Sequence, residues 1–219
     1  MTVLTFGATG SAGGSVLRVC LQSPTVTAVR VIVRRSPGVT DPKLTVIEHD
    51  DYTDYSAIAA SFSGVDACFY CLGKSVRQVS GEAEYRRITH DFALAAARML
   101  HDKSPSAVFH FLSGEGASLT SRFMWARVKA ETERDLIPFG AVCWRPALID
   151  GMASKSEPLL YKSMRPLARV LLSPFRSMYV TGADIGRAML VATERGMRGQ
   201  TIGNAEIRAL AERRVETRR

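Results

Sequence analysis

Thr5-Phe6-Gly7-Ala8-Thr9-Gly10-Ser11-Ala12-Gly13-Gly14 follows the short apolar run Val3 to Phe6 and opens a stretch of helical periodicity, Gly13 to Leu21. A β-rich run, a glycine turn and a helix in that order predict a first strand crossing into a first helix at the start of an α/β fold. Glycine at 7, 10 and 13 suits a sharp strand-to-helix reversal and the close approach of a pyrophosphate, whose charge the N–H groups and dipole of the helix start would neutralise. Gly7, Gly10, Ser11, Ala12 and Gly13 are therefore candidate phosphate-binding residues.

Outward from this turn the alternation continues. Val29 to Val33, Leu44 to Glu48, Asp66 to Cys71, Ala107 to Leu112 and Ala141 to Trp144 read as strands. Tyr55 to Phe62, Glu84 to Leu100, Phe123 to Leu136 and Asp184 to Thr193 read as helices; in the longest, Ile88, Phe92, Ala95, Ala96 and Met99 give the apolar face. The pattern predicts a Rossmann-type, doubly wound parallel sheet with helices on both faces. With 219 residues and 46% hydrophobic content, the chain is expected to form a single domain over residues 1–219. Gly151 to Tyr179 is less regular, broken by Pro158, Pro166 and Pro174, so a lid or substrate-facing part is expected over residues 151–180. Its apolar residues, among them Leu159, Tyr161, Leu167 and Phe175, fit an apolar substrate pocket, a partner surface or packing onto the sheet edge.

The net charge of +8 raises nucleic acid and membranes as partners, but residues 207–219 hold five arginines against two glutamates and so carry +3 of it. That basic tail is read as a solvated or frayed helix end. No nucleic-acid-binding signature accompanies the charge, and no apolar run is long enough to span a membrane, so neither is expected as a partner. Met1 to Gly10 passes straight from a short apolar run into the glycine turn, without the regions of a secretory signal, and a cytoplasmic location is expected. Cys68 and Cys71 form a C-x-x-C, but inside an apolar strand run, where core cysteines are expected rather than a redox pair. No second Cys/His pair has ligand spacing, so no metal site is expected.

The spacing G-x-x-G-x-x-G with Thr9 resembles atypical short-chain dehydrogenases/reductases of the NmrA-like kind, over roughly residues 2 to 195. The resemblance implies that Asp50, in His49-Asp50-Asp51-Tyr52, meets the adenine. It implies that Cys71-Leu72-Gly73 lies along the adenosine ribose, and that Pro146, in Trp144-Arg145-Pro146-Ala147, flanks the nicotinamide. Ser113-Gly114-Glu115-Gly116 with Phe123 to Lys129 is most similar to the branch containing the Tat-interacting tumour-suppressor oxidoreductase. The late turn Val180 to Gly186 is similar to that family's last helix start, with Thr181 or Asp184 as its cap.

The cofactor preference has a physical basis. NAD sites usually place a carboxylate at the end of the second strand, whereas this chain has Arg34 and Arg35 there, suited to the 2′-phosphate of NADP(H). NADP(H) is thus expected in preference to NAD(H).

In the resembled family a tyrosine four residues before a lysine shares a helix face with it and exchanges a proton with the substrate oxygen. Here Lys129 matches the lysine, but Trp125 stands at the tyrosine position, and an indole N–H is no acid or base near neutral pH. Ser113 matches the first serine after the fifth strand, and Gly114 and Glu115 follow it. Three readings result: an NADP(H)-dependent oxidoreductase acting on a small-molecule substrate, its proton coming from Tyr161, Glu115 or water; a silent cofactor-binding regulator or sensor with a regulatory protein partner; or a non-redox isomerase or cyclase using Glu115 or Asp150. Lys129 would hold the nicotinamide ribose in every reading that keeps cofactor.

Overall fold

The structure, a computed structural model, describes residues 1–150 and 179–216. It begins with β1 (Thr2–Phe6), α1 (Ser11–Gln22), β2 (Ala28–Val33) and β3 (Leu44–Glu48), then a 3-10 turn over Ser56–Phe62 and β4 (Ala67–Tyr70). There follow α2 (Glu82–Arg86), a π-helical turn over Arg87–Asp91, α3 (Phe92–Lys103), β5 (Val108–Leu112), α4 (Met124–Leu136) and β6 (Val142–Arg145). The short strands β7 (Leu148–Asp150) and β8 (Tyr179–Thr181), then α5 (Gly182–Glu194), β9 (Gln200–Gly203) and α6 (Asn204–Glu216), complete it. The lid expected over 151–180 thus falls on residues 151–178, outside the described ones, except for the start of β8.

The main sheet has the order β3-β2-β1-β4-β5-β6-β9 with every pairing parallel, and β7 pairs with β8 in a two-stranded sheet. This is the Rossmann-type arrangement expected. Strand order reverses between β1 and β4, so the crevice above their carboxyl ends is where such a sheet offers a ligand room.

Period-two alternation distributes the apolar side chains between two cores. On β1 and β4, Val3, Ala67 and Phe69 face a core shared with Val16, Leu17, Ile185 and Met189 of α1 and α5. Leu4, Phe6, Cys68 and Tyr70 face the opposite core, with Ala93, Ala96 and Leu100 of α3 and Leu136 of α4. Helices α1 and α5 approach closely: a β-carbon at Gly182 would lie 2.7 Å from that of Ser15.

Three local differences from the sequence reading have physical causes. The helix read over Glu84 to Leu100 is interrupted by the π turn, whose wider i→i+5 winding shifts the register of the helix; Arg86 before it pairs with Glu131 and His90 within it with Asp135, both on α4. A strand at Gln200–Gly203 was not read, because only Ile202 of that edge strand is buried. The tail from residue 207 is no frayed end at its start, since Ile207, Leu210 and Ala211 of α6 are buried.

The cysteine and helix-cap readings agree with the structure. Cys20, Cys68 and Cys143 are buried and none of the four cysteines is in a disulfide; burial pushes the Cys68 thiol up, and that of Cys71 to about 12. Thr181 and Asp184 cap α5 together: the Asp184 N–H donates to Thr181 Oγ1 at 3.0 Å and the Thr181 N–H to Asp184 Oδ2 at 2.9 Å. Among the described residues no group of three or more His, Cys, Asp or Glu could hold a metal ion, and no helix is long and apolar enough to cross a membrane.

Candidate functional site

The glycine turn packs so tightly that side chains cannot enter it. Gly7 has φ +76°, and a β-carbon there would lie 2.5 Å from the Cys71 carbonyl oxygen; one at Gly13 would lie 2.2 Å from the Gly7 carbonyl oxygen. The end of β1 is thereby pressed against the end of β4, and α1 against the turn. Gly10 is the N-cap of α1, with its N–H donating to Gly7 O at 2.9 Å. Among the described residues no side chain caps this helix at Gly10, and no carboxylate occupies its first turn, so the positive end of its dipole is left to the cavity.

That helix start forms one wall of a cavity of about 620 Å³. Gly10, Ser11, Ala12 and Gly13 line it on one side; Cys71, Leu72 and Gly73 leaving β4, Ser113 leaving β5, and Trp125 and Lys129 of α4 line the rest. The fold therefore brings ten of the candidate residues together at the carboxyl ends of β1, β4 and β5. Gly7 acts from behind the wall. Thr9, Arg34, Arg35, Asp50, Glu115 and Pro146 do not line this cavity. Arg34 and Arg35 are exposed directly after β2, whose Ile32 lies beside Phe6 in register, so they flank the turn. Asp50 is exposed after β3, while its neighbour Asp51 holds its own loop: its carboxylate accepts from the Thr53 hydroxyl and N–H, which keeps its pKa low. Glu115 is exposed, and its N–H donates to the carbonyl oxygen of buried Pro146 at 2.9 Å, strapping the β5 exit to the β6 exit. As a proton donor at the cavity Glu115 is thus misplaced. Tyr161 and the side chain of Asp150 lie outside the described residues.

Lys129 and Ser113 meet on the far wall. Lys129 Nζ donates to the Ser113 carbonyl oxygen at 2.6 Å. Burial lowers the lysine to about 8, against the opposing pull of the Glu133 carboxylate one turn on. Glu133 is itself buried and accepts from Arg145 Nε at 2.9 and 3.1 Å, and from Nη2 as well. Arg145 thus anchors α4 to β6. The Ser113 hydroxyl is buried with no hydrogen-bond partner among the described residues, although its N–H is fixed to Trp144 O at 2.8 Å. Trp125 lies on the Lys129 face of α4, with its ring near Gly116: a β-carbon on that glycine would be 3.5 Å from Cη2.

Several lining residues escaped the sequence reading: Lys74, Ser75, Val76 and Gln78 of the loop after β4, Leu112, Ile149 and Tyr85. Tyr85 had a faint signal, as the lone aromatic within the charged run Glu82-Ala83-Glu84-Tyr85-Arg86-Arg87.

Among the described residues, a glycine cradle that excludes β-carbons, a helix with no acid in its first turn and a hydroxyl without a partner in one cavity fit the phosphates and the reactive end of a dinucleotide. No family model matches the chain. A curated protein of Aspergillus oryzae named "fmp52-1, mitochondrial" is 31% identical over 160 residues, 70% of this chain and 68% of that protein. The chain belongs to the Fmp52 family. A second member, "fmp52, mitochondrial" of Aspergillus clavatus, is 28% identical over 215 residues, 93% of this Fmp52-family chain and 92% of its own length.

Solved structures share the fold at low identity. A short-chain dehydrogenase/reductase family oxidoreductase from Burkholderia thailandensis superposes with a TM-score of 0.69 at 13% identity, covering 99% of this chain and 97% of that one. A dTDP-glucose 4,6-dehydratase from Streptomyces venezuelae, solved with NAD bound, gives 0.69 at 16% identity over 99% of this chain and 81% of the other. The Fmp52-family chain therefore has the short-chain dehydrogenase/reductase fold. Two expectations change. These relatives carry the Fmp52 name rather than that of the NmrA-like or Tat-interacting branch, and their names are mitochondrial, which overturns the cytoplasmic location.

Proposed function

We propose that this Fmp52-family chain is an NADP(H)-dependent reductase of a carbonyl group on a small apolar substrate. The observation that carries this reading is the placement of Lys129 and of the buried Ser113 hydroxyl, partnerless among the described residues, in the cavity that opens at the start of α1. The N–H groups of Gly10 to Gly13 would take the pyrophosphate, with Thr9 at the turn, and Cys71-Leu72-Gly73 would lie along the adenosine ribose. Asp50 would meet the adenine, Pro146 would flank the nicotinamide, and Lys129 would donate to the nicotinamide ribose. Arg34 and Arg35 would grip a 2′-phosphate by charge-assisted hydrogen bonds. When bound, the dinucleotide supplies hydride. Ser113 Oγ is then the hydroxyl that orients the substrate oxygen, which would satisfy its missing hydrogen bond. The names of the relatives support a mitochondrial location.

A second reading is favoured by one observation: Trp125, without acid or base function, stands in the cavity wall where the resembled family has its proton donor. On that reading the protein binds NADP(H) as a silent regulator. Purified protein incubated with NADPH and a carbonyl panel (4-nitrobenzaldehyde, cyclohexanone, 9,10-phenanthrenequinone) tests both. Loss of 340 nm absorbance with alcohol or hydroquinone formed supports the reductase; tight NADPH binding with no turnover on any of them overturns it.

A further inference from the structure

Tyr85 is, among the described residues, the one phenol that lines the cavity, and it is 3% exposed. Its place is held from both sides. On α2, Glu82 pairs with Arg127 at 3.1 Å and Arg86 pairs with Glu131, so two ion pairs flank Tyr85 and bind its helix to α4, which carries Trp125 and Lys129. Next to it, Glu84 accepts from the Ser80 N–H and hydroxyl, both at 2.8 Å, and from Lys74 Nζ at 3.1 Å, tying α2 to the loop that lines the same cavity. One turn on stands buried Thr89 of the π turn, four residues after Tyr85 and so on the same side of the helix, and a π turn within a helix is a frequent mark of a functional site.

We propose that Tyr85 is the proton donor of this site, giving its phenolic proton to the substrate oxygen in the role Trp125 cannot fill. The proposal rests on the reductase reading. As hydride reaches the carbonyl carbon from the bound dinucleotide, the C=O π pair moves onto oxygen; the Tyr85 O–H bond breaks and its proton completes the alcohol. The tyrosinate left behind accepts from the Thr89 hydroxyl and is reprotonated by water. Carbonyl, dinucleotide hydride and one solvent proton balance the alcohol and the oxidised dinucleotide. Burial keeps the phenol pKa above its usual value, so the proton is in place at neutral pH.

The experiment compares wild type with Tyr85→Phe, Thr89→Val and, as a control outside the site, Tyr70→Phe, using NADPH and 4-nitrobenzaldehyde. Tyr85→Phe is expected to lower kcat by about 100-fold or more while the NADPH Kd, read by fluorescence, stays within about twofold. Thr89→Val, which removes the donor to the tyrosinate, is expected to move the alkaline limb of the kcat profile to higher pH. Independently of turnover, one resonance of protein labelled with [ζ-13C]tyrosine should shift when cyclohexanone is added to the NADP+ complex and be missing from Tyr85→Phe. Reduction by wild type with Tyr85→Phe within about threefold of it overturns the proposal alone. No reduction by wild type overturns the reductase reading and the proton-donor role with it. If Tyr85→Phe does not fold, an unmoved limb in Thr89→Val, or no shifted tyrosine resonance, overturns the proposal.

Discussion

Lys129 Nζ donates to the carbonyl oxygen of Ser113 at 2.6 Å, joining the middle of α4 to the exit of β5 across the cavity wall. The ammonium is buried enough to sit at about 8 rather than in the usual lysine range. If this charged donor also holds the nicotinamide ribose, affinity for NADPH depends on its proton. Affinity is expected to be level below pH 8 and to fall as pH rises through about 8, by up to about tenfold per unit. Lys129→Met should bind NADPH about tenfold or more weakly and show no such fall. Isothermal titration from pH 6.5 to 9.5 measures both; a wild-type profile as flat as that of the variant would remove Lys129 from cofactor binding.

Arg34 and Arg35 follow β2 as exposed residues beside the glycine turn, and no carboxylate stands at that strand end. A guanidinium against a 2′-phosphate makes a charge-assisted contact that NAD(H) cannot return. Arg34→Ala and Arg35→Ala are each expected to weaken NADPH binding by about tenfold and to leave NADH binding unchanged. Equal affinity of the parent for the two dinucleotides would refute the preference.

The crevice was legible because its cause is local. Gly7 and Gly13 admit no β-carbon, and the apolar alternation on either side of them specifies strand and helix without reference to the rest of the chain. The positions matched through the resemblance, Lys129 and Ser113, also come to one wall. What was not legible depends on contacts distant in sequence. Tyr85 enters the cavity because Glu82 and Arg86 pair with Arg127 and Glu131, some 45 positions away, and no periodicity in a charged run announces that. Glu115 was read as a candidate acid from its neighbour Ser113, but its N–H is fixed to the Pro146 carbonyl and its side chain is exposed. Arg145 was read only within the turn expected to flank the nicotinamide, yet its guanidinium is bound to buried Glu133. The edge strand β9 shows one buried side chain, too little for an alternating pattern.

Trp125 and Lys129 are one helical turn apart on α4, so a tyrosine at 125 would place its phenol next to the lysine. Trp125→Tyr is therefore expected to introduce a second proton donor. Should the parent be inactive, the variant gains NADPH oxidation with a carbonyl substrate. In a parent that already uses Tyr85, the variant rescues Tyr85→Phe, raising its kcat by about tenfold or more. Steady-state rates of the two single variants and the double variant check this, and a double variant no faster than Tyr85→Phe would show that position 125 does not reach the reacting oxygen.

His110 sits in the middle of β5, fully buried, in a chain of donors that fixes its protonation. Trp144 Nε1 can only donate, and does so to His110 Nδ1 at 3.1 Å; His110 Nε2 must then carry the hydrogen, which faces Thr193 Oγ1 at 3.0 Å, and Thr193 donates onward to Met189 O at 2.9 Å. A second proton on the ring would break the Trp144 bond, and burial, aided by the Arg198 charge, lowers the histidine to about 3. Its folded pKa is below the unfolded value of about 6.5, so the unfolded chain binds the proton first on acidification. The stabilisation from neutral His110 is complete above about pH 6.5 and is lost as pH falls toward 3, with a slope of up to about 1.4 kcal/mol per unit. In His110→Gln that component is absent, so the difference in unfolding free energy between wild type and variant should shrink steadily from pH 6.5 to 4 in urea titrations. A difference that does not change with pH over that range would mean the ring is protonated, or free to be, in the folded chain.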